Sequence, residues 1–184
     1  SAVRRYSNNY QDAPTGLTSP LEVRFPSAEA VDSAYAQLHR QNVRAVNNSW
    51  GNPLTPSNEA ELDALLSFTH LPSYEELKAI ADNTIKYGIL QVWAASNTLT
   101  ENDSPQTAPI SGYHSSFPRA NTQLEPFWLN VVNLNQELTL SNRSYRCGFT
   151  KDWCLAAPGT DITSAWVTGS VDTANHYNDA DDVD

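Results

Sequence analysis

The stretch Tyr-Gly-Ile-Leu-Gln-Val-Trp-Ala-Ala-Ser-Asn-Thr-Leu-Thr, residues 87–100, decides how this chain is read. Its apolar run, Ile89 to Ala95, is short, does not alternate, and stops at Ser96 and Asn97. A run of this kind reads as a strand buried on both faces, the form strands take in parallel sheets. The segment before it, Leu71 to Gly88, has helical character. Leu77, Ile80, Ala81 and Ile85 form a stripe, Ser73 and Glu76 stand at capping-box spacing, and Gly88 is a C-terminal stop.

The same pattern extends in both directions. Ser27 reads as an N-cap. Ala28, Val31, Ala34, Tyr35 and Leu38 then recur at helical spacing, which predicts an amphipathic helix over 28–41. A short buried strand is expected over 43–46, ending in the turn-rich "NNSWGNP". Residues 59–69 read as a helix with Leu62, Leu65, Leu66 and Thr69 on one side. Residues 98–126 are loop-rich. "FWLNVVNLN", 127–135, reads as a strand, and "WCLAAPG", 153–159, as a third buried run closed by Pro-Gly. Helices feeding short, apolar strands predict an α/β domain with a mostly parallel sheet. In such sheets ligand chemistry gathers beyond the C-terminal ends of the strands.

The bulk composition narrows the function. At 184 residues and 40% hydrophobic content, the chain suits one domain with one core, flanked by a loop or arm at 1–26 and an acidic tail at 172–184. A net charge of −10 argues against nucleic acid as a partner, since phosphate binding needs clustered Lys and Arg. No apolar run is long enough to span a bilayer, and no signal peptide is visible, which leaves secretion open because a mature chain would have lost it.

Cys147 and Cys154, in "CGFTKDWC", lack the second pair that a zinc site wants. Their spacing suits a disulfide across a short hairpin, with Gly148 easing the turn. Such a bond would stabilise the fold by roughly 2–3 kcal/mol in the chain-entropy model. The alternative is two buried thiols in a cytosolic protein. The local pairing favours the disulfide and hence an oxidising compartment.

Four histidines, His39, His70, His114 and His176, share no metal-ligand spacing and read as surface or loop residues. No Ser stands in a G-x-S-x-G elbow. No cofactor is called for. Alternating Asp residues in "DADDVD", 179–184, have a spacing that suits calcium, but the Gly and distal Glu of an EF-hand loop are missing, which favours a solvated tail. Asn97, at a strand end, has two readings: a turn cap, or a side-chain amide able to donate to a developing oxyanion. "SWG", 49–51, likewise reads as a plain turn anchored by Trp50, or as backbone offered to an extended peptide.

Taken in order, three segments resemble the subtilisin-like serine proteases. "VRAVNNSWG" is similar to the family's strand that ends in Ser-x-Gly beside the substrate cleft. "YGILQVWAASN" is similar to its passage into Ala-Ala-Gly-Asn, and "SNRSYRCGFTKDWCLAAPGTDITS" to its later run into an Ala-Pro-Gly turn. The Cys pair and "AAPGTDI" most resemble passenger domains of Gram-negative autotransporter subtilases, and the likeness covers most of residues 28–166.

The resemblance implies roles. Asn97 would be the oxyanion donor. Ser49, Trp50 and Gly51 would form one edge of the P1 cleft, and Ala94, Ala95 and Ser96 the other. Ser96 is a departure, because the family usually has Gly there. A larger departure is that no Asp-Ser-Gly or Asp-Thr-Gly, no His-Gly-Thr-His and no Gly-Thr-Ser-Met-Ala occurs, and the chain contains no Met.

The expectation is therefore an incomplete, central part of a catalytic domain. It would supply the oxyanion Asn and the cleft but not the triad, and would be inactive alone. Its partners would be a peptide or protein substrate, the remaining parts of that domain, and copies of itself through exposed strand edges. It would be secreted or lie at the bacterial cell surface. Two other readings stay open: a non-catalytic α/β peptide-binding module, and a self-contained interaction domain. Adjacent parallel strands at 43–51 and 89–97 would count against the last.

Overall fold

The computed structural model describes residues 26–50, 56, 58–69, 73–97, 111–160 and 162. Helix α1 is Ala28–Arg40, α2 is Glu59–Ser67 and α3 is Tyr74–Tyr87. The strands are β1 (Ala45–Asn48), β2 (Leu90–Ala94), β3 (Trp128–Leu134) and β4 (Cys154–Pro158). They form one sheet in the order β1-β2-β3-β4, and every pair is parallel. Three 3-10 segments, Phe117–Arg119, Thr122–Phe127 and Gly148–Trp153, lie in the connections. The chain is thus an α/β unit with a parallel sheet and flanking helices, as the apolar runs predict.

Helix α1 starts where Ser27 accepts a hydrogen bond from the Ala30 amide, and it buries Val31 and Tyr35. Helix α3 ends at Gly88, whose φ of 63° and amide bond to the Thr84 carbonyl make the left-handed stop. The Asn58 side chain caps α2 by accepting from the Glu61 amide.

One face of the sheet carries the core. Gln91, Trp93, Trp128 and Asn130 are fully buried on it, and Leu62, Leu77, Ile80, Tyr113 and Leu124 belong to the same buried set. Gln91 is hydrogen-bonded on all sides: its carbonyl accepts from Tyr35 (2.8 Å) and Asn48 (3.1 Å), and its amide donates to the Ile89 carbonyl. Satisfying each polar group is what makes a buried Gln tolerable. Burial pushes the Tyr35 hydroxyl well above its ordinary pKa despite this bond. The opposite face is less covered. Leu90, Val92, Leu129 and Val131 are half-buried there, and Leu155 is exposed. Arg119 donates to both Asp63 and Glu59, tying the first 3-10 segment to α2 and holding the Asp63 carboxyl below the usual carboxylate range.

Several sequence expectations are corrected. Strand β1 lies at 45–48, not 43–46, because the Val43 amide closes the end of α1 on the Leu38 carbonyl, and pairing with β2 begins at Ala45 opposite Leu90. The capping box at Ser73 and Glu76 does not form. Ser73 already has helical angles (φ −85°, ψ −7°), so its hydroxyl cannot take the N-cap position, and Glu76 is buried. Ile85 is exposed, since Thr84 occupies the inward position on that turn, and Thr69 is exposed beyond the end of α2. Residues 153–159 are not a buried run. β4 pairs only with β3 among the described residues, and Leu155 is 52% exposed. The disulfide between Cys147 and Cys154 is present, but it spans the 3-10 segment Gly148–Trp153 rather than a hairpin.

Candidate functional site

Parallel pairing of β1 with β2 sets Asn48 opposite Trp93, so the two strands finish side by side at one end of the sheet. The residues that follow them form the candidate site. After β1, Ser49 is exposed and accepts from Asn47 (2.9 Å). Trp50 is half-buried and packs edge-on against Trp93, with ring centroids 5.0 Å apart. Gly51 lies outside the described residues.

After β2 the chain turns a corner. Ala94 is exposed. Ala95 is buried, its amide donates to the Val131 carbonyl and its carbonyl accepts from the Gly112 amide (3.2 Å). Ser96 adopts φ 88°, in the left-handed region where a side chain is costly. Its carbonyl accepts from the Tyr145 amide (3.0 Å), and Asn97 forms an isolated antiparallel bridge with Ser144. The Asn97 side chain is left exposed at the tip. This backbone is one on which glycine would be expected where Ser96 stands: only Gly takes this φ without a penalty. Ser96→Gly is accordingly expected to raise stability, by about 1 kcal/mol or less once the greater freedom of the unfolded chain is set against it. Urea unfolding of the two chains would measure it, and a loss of stability would contradict the strain.

His114 is the site's surprise. It lies in the loop before the first 3-10 segment but is buried, not at the surface. Its ring stacks on Trp93 (5.3 Å, 30°) and meets Trp50 edge-on at 5.2 Å, and its carbonyl accepts from the Trp128 indole (3.2 Å). Trp50, Trp93, His114 and Trp128 thus form one aromatic layer next to the candidate site. Of the other histidines, His39 stacks on Tyr87 far along α1 (4.8 Å), and His70 and His176 lie outside the described residues. Gly112, Ser144 and Tyr145 also touch the corner and escaped the sequence reading. They are distant in the chain from Asn97, and no local pattern marks them.

Among the described residues, no three His, Cys, Asp or Glu side chains come together as a metal site, and "DADDVD" lies outside those residues. No described helix is long and apolar enough to cross a membrane. A surface hollow of about 410 Å³ lies elsewhere, between α2 and the first 3-10 segment, lined by Leu66, Thr69, Tyr74 and the Asp63–Arg119 pair. Its charges already neutralise each other, so it offers no evident chemistry.

Comparison with known proteins follows the same lines. The chain is 28% identical over 127 residues to serotype-specific antigen 1 of Mannheimia haemolytica. That alignment takes in 69% of this chain but only 13% of the relative, so the chain spans a small part of that protein's length. Among solved structures it is similar to the prenylagaramide maturation protease PagA, at 17% identity and a TM-score of 0.48, over 79% of this chain and 42% of that one. The model of the subtilase family, Peptidase S8, matches residues 24–181, and the chain therefore belongs to the subtilase family.

Proposed function

We propose that this chain is the central part of the catalytic domain of a secreted, subtilisin-like serine endopeptidase. In this reading Asn97 donates to the oxyanion of the tetrahedral intermediate. Ser49, Trp50 and Gly51 form one edge of the substrate cleft, and Ala94, Ala95 and Ser96 the other. The observation that carries it is the parallel register of β1 and β2, which sets the two post-strand segments side by side at the end of the sheet where α/β proteins bind ligands. An exposed Asn side chain on a backbone corner fixed by bonds at Ala95, Ser96 and Asn97 is what a preorganised donor requires.

An extended peptide lying between the two edges would pair with their backbone groups, giving affinity without sequence demands. The acyl-enzyme chemistry needs a nucleophile activated by a base. In this reading the described residues contribute neither, and the buried His114 is packed among aromatic rings. The remaining parts of the catalytic domain are therefore the partner that completes the site, and the less covered sheet face with its half-buried Leu90, Val92, Leu129 and Val131 supports their docking. The disulfide suits an oxidising, extracellular setting. The likeness to a bacterial serotype-specific antigen supports a place at the cell surface.

The test is active-site labelling. A fluorophosphonate probe, which reacts only with an activated serine, is expected to label the intact polypeptide that contains this chain and to leave the isolated 184-residue chain unlabelled. Labelling of neither would favour the alternative, a non-catalytic peptide-binding module. Labelling of the isolated chain, with casein cleavage at a normal protease rate, would overturn the proposed division of the site.

A further inference from the structure

We infer that the Cys147–Cys154 disulfide is a positioning element for Asn97, acting through two jaws that grip the corner at residues 95–97. The inference rests on the reading of Asn97 as an oxyanion donor. The corner has no regular ladder of its own beyond β2, and it contains a serine in a left-handed backbone conformation. Such a conformation persists only where its surroundings over-determine it. Two segments do so here.

The first jaw is Ser144–Tyr145. The Tyr145 amide donates to the Ser96 carbonyl (3.0 Å), and Ser144 bridges Asn97. Tyr145 is buried against Ala95 and Val132, with Leu140 and both cysteines packed on the same small cluster. Ser144 is braced in turn, because its hydroxyl accepts from the Asn133 amide (2.9 Å) on β3. The second jaw is Ser111–Gly112. The Gly112 amide donates to the Ala95 carbonyl (3.2 Å), and its Cα lies so close that an added Cβ would meet the Ser96 Cβ at 3.4 Å.

Both jaws are fastened to one residue. Tyr145 is two positions before Cys147, and the Ser111 hydroxyl donates to the Cys147 carbonyl, which also accepts from the Thr150 hydroxyl (2.7 Å). Thr150 accepts in turn from Asn130 in the middle of β3 (2.5 Å). Cys147 is covalently joined to Cys154, the first residue of β4. The disulfide thus ties a node outside the sheet to the sheet itself, and the node holds both partners of the corner. Without the bond, Cys147 keeps only hydrogen bonds and a small apolar contact. The jaws would then open more often, and Asn97 would sample orientations unsuited to donation. Misplacement of a catalytic group by an ångström is enough to slow a reaction about a hundredfold.

A double-mutant cycle in the intact protease separates this from a merely structural role. The Cys147→Ser/Cys154→Ser variant is expected to lose about ten- to a hundredfold in kcat with KM within about threefold. In the Asn97→Ala background the same change should cost almost nothing further, because both act on one interaction. If Asn97→Ala alone leaves kcat unchanged, the donor reading fails. If Asn97→Ala lowers kcat but removal of the disulfide does not, or lowers it equally in both backgrounds, the positioning role is overturned.

Amide exchange in the intact protease keeps the test independent of that variant's folding. Dithiothreitol transfers two electrons and two protons to the disulfide, becoming its own cyclic disulfide and leaving Cys147 and Cys154 as thiols. Exchange at the Tyr145 and Gly112 amides should then accelerate, while the Leu90 amide, which donates to Arg44 in the sheet, keeps its protection. No change at Tyr145 and Gly112, or uniform acceleration at all three, would also overturn the role.

Discussion

Replacing Asn97 by Ala in the proposed parent protease is expected to lower kcat by roughly 10²–10³ and to leave KM within about threefold. This magnitude is borrowed from the oxyanion Asn of subtilisin, whose role is the one proposed for Asn97. The direction and the split between kcat and KM follow from the proposed role. A donor aimed at the position of the oxyanion meets little charge on a ground-state carbonyl and full charge in the tetrahedral intermediate. Its loss therefore removes an interaction made mainly in the transition state, which lowers kcat and kcat/KM together. Asn97 is exposed, and its backbone is held by the bridge to Ser144, so the substitution should be nearly neutral for folding. Steady-state kinetics on a chromogenic peptide, with thermal unfolding as control, would check both parts. A rise in KM with kcat unchanged would instead assign Asn97 to ordinary substrate binding.

Trp93→Ala is expected to cost about 3–5 kcal/mol, a large share of the roughly 5–15 kcal/mol that holds a domain together. Trp93 is completely buried at the centre of the sheet. Its ring stacks on Trp128 (5.3 Å, 24°) and on His114, and meets Trp50 edge-on. Truncation would open a cavity bounded by three other rings, none of which can collapse into it without leaving its own partners. The same layer supports Trp50 at the proposed cleft edge, so under that reading any residual folded protein should bind peptides poorly. Trp93→Phe should cost markedly less than truncation. Among the described residues the indole N–H of Trp93 has no hydrogen-bond partner, and removing an unsatisfied buried donor recovers part of what the smaller ring loses. Leu155→Ala, at an exposed position on β4, serves as the control and should shift stability by about 0.5 kcal/mol or less. Guanidinium unfolding would rank the three. A Trp93→Ala chain as stable as Leu155→Ala would contradict the central place given to this layer.

How much of this was written in the sequence differs from element to element. The elements themselves were legible because their signals are local. Gly88 stops α3 through a backbone angle that only its own residue type favours, and Ser27 caps α1 through an atom three residues from its target. The short apolar run at 89–95 announced a parallel strand through its composition, although in the structure one face is fully buried and the other, with Leu90 and Val92, only half. The capping box at Ser73 misled because the residue types were right while the backbone had already entered the helix. The apolar wording of 153–159 misled because an edge position is a property of the sheet, not of the strand.

The candidate site divides in the same way. Sequence order placed Asn97 after one strand and Ser49 and Trp50 after another, and the resemblance attached roles to them. Only the tertiary structure decided that these ends are neighbours, that Ser96 carries a left-handed backbone, and that a buried His114 packs on Trp50 and Trp93. It alone showed that Tyr145 and Gly112 hold the corner from either side, with Cys147 joining the two. The physical reason is range. Helix periodicity, caps and stops act over three or four residues and leave a readable pattern. Contacts such as Tyr145 to Ser96 span 49 positions of sequence and exist only once the parallel strands have brought them together.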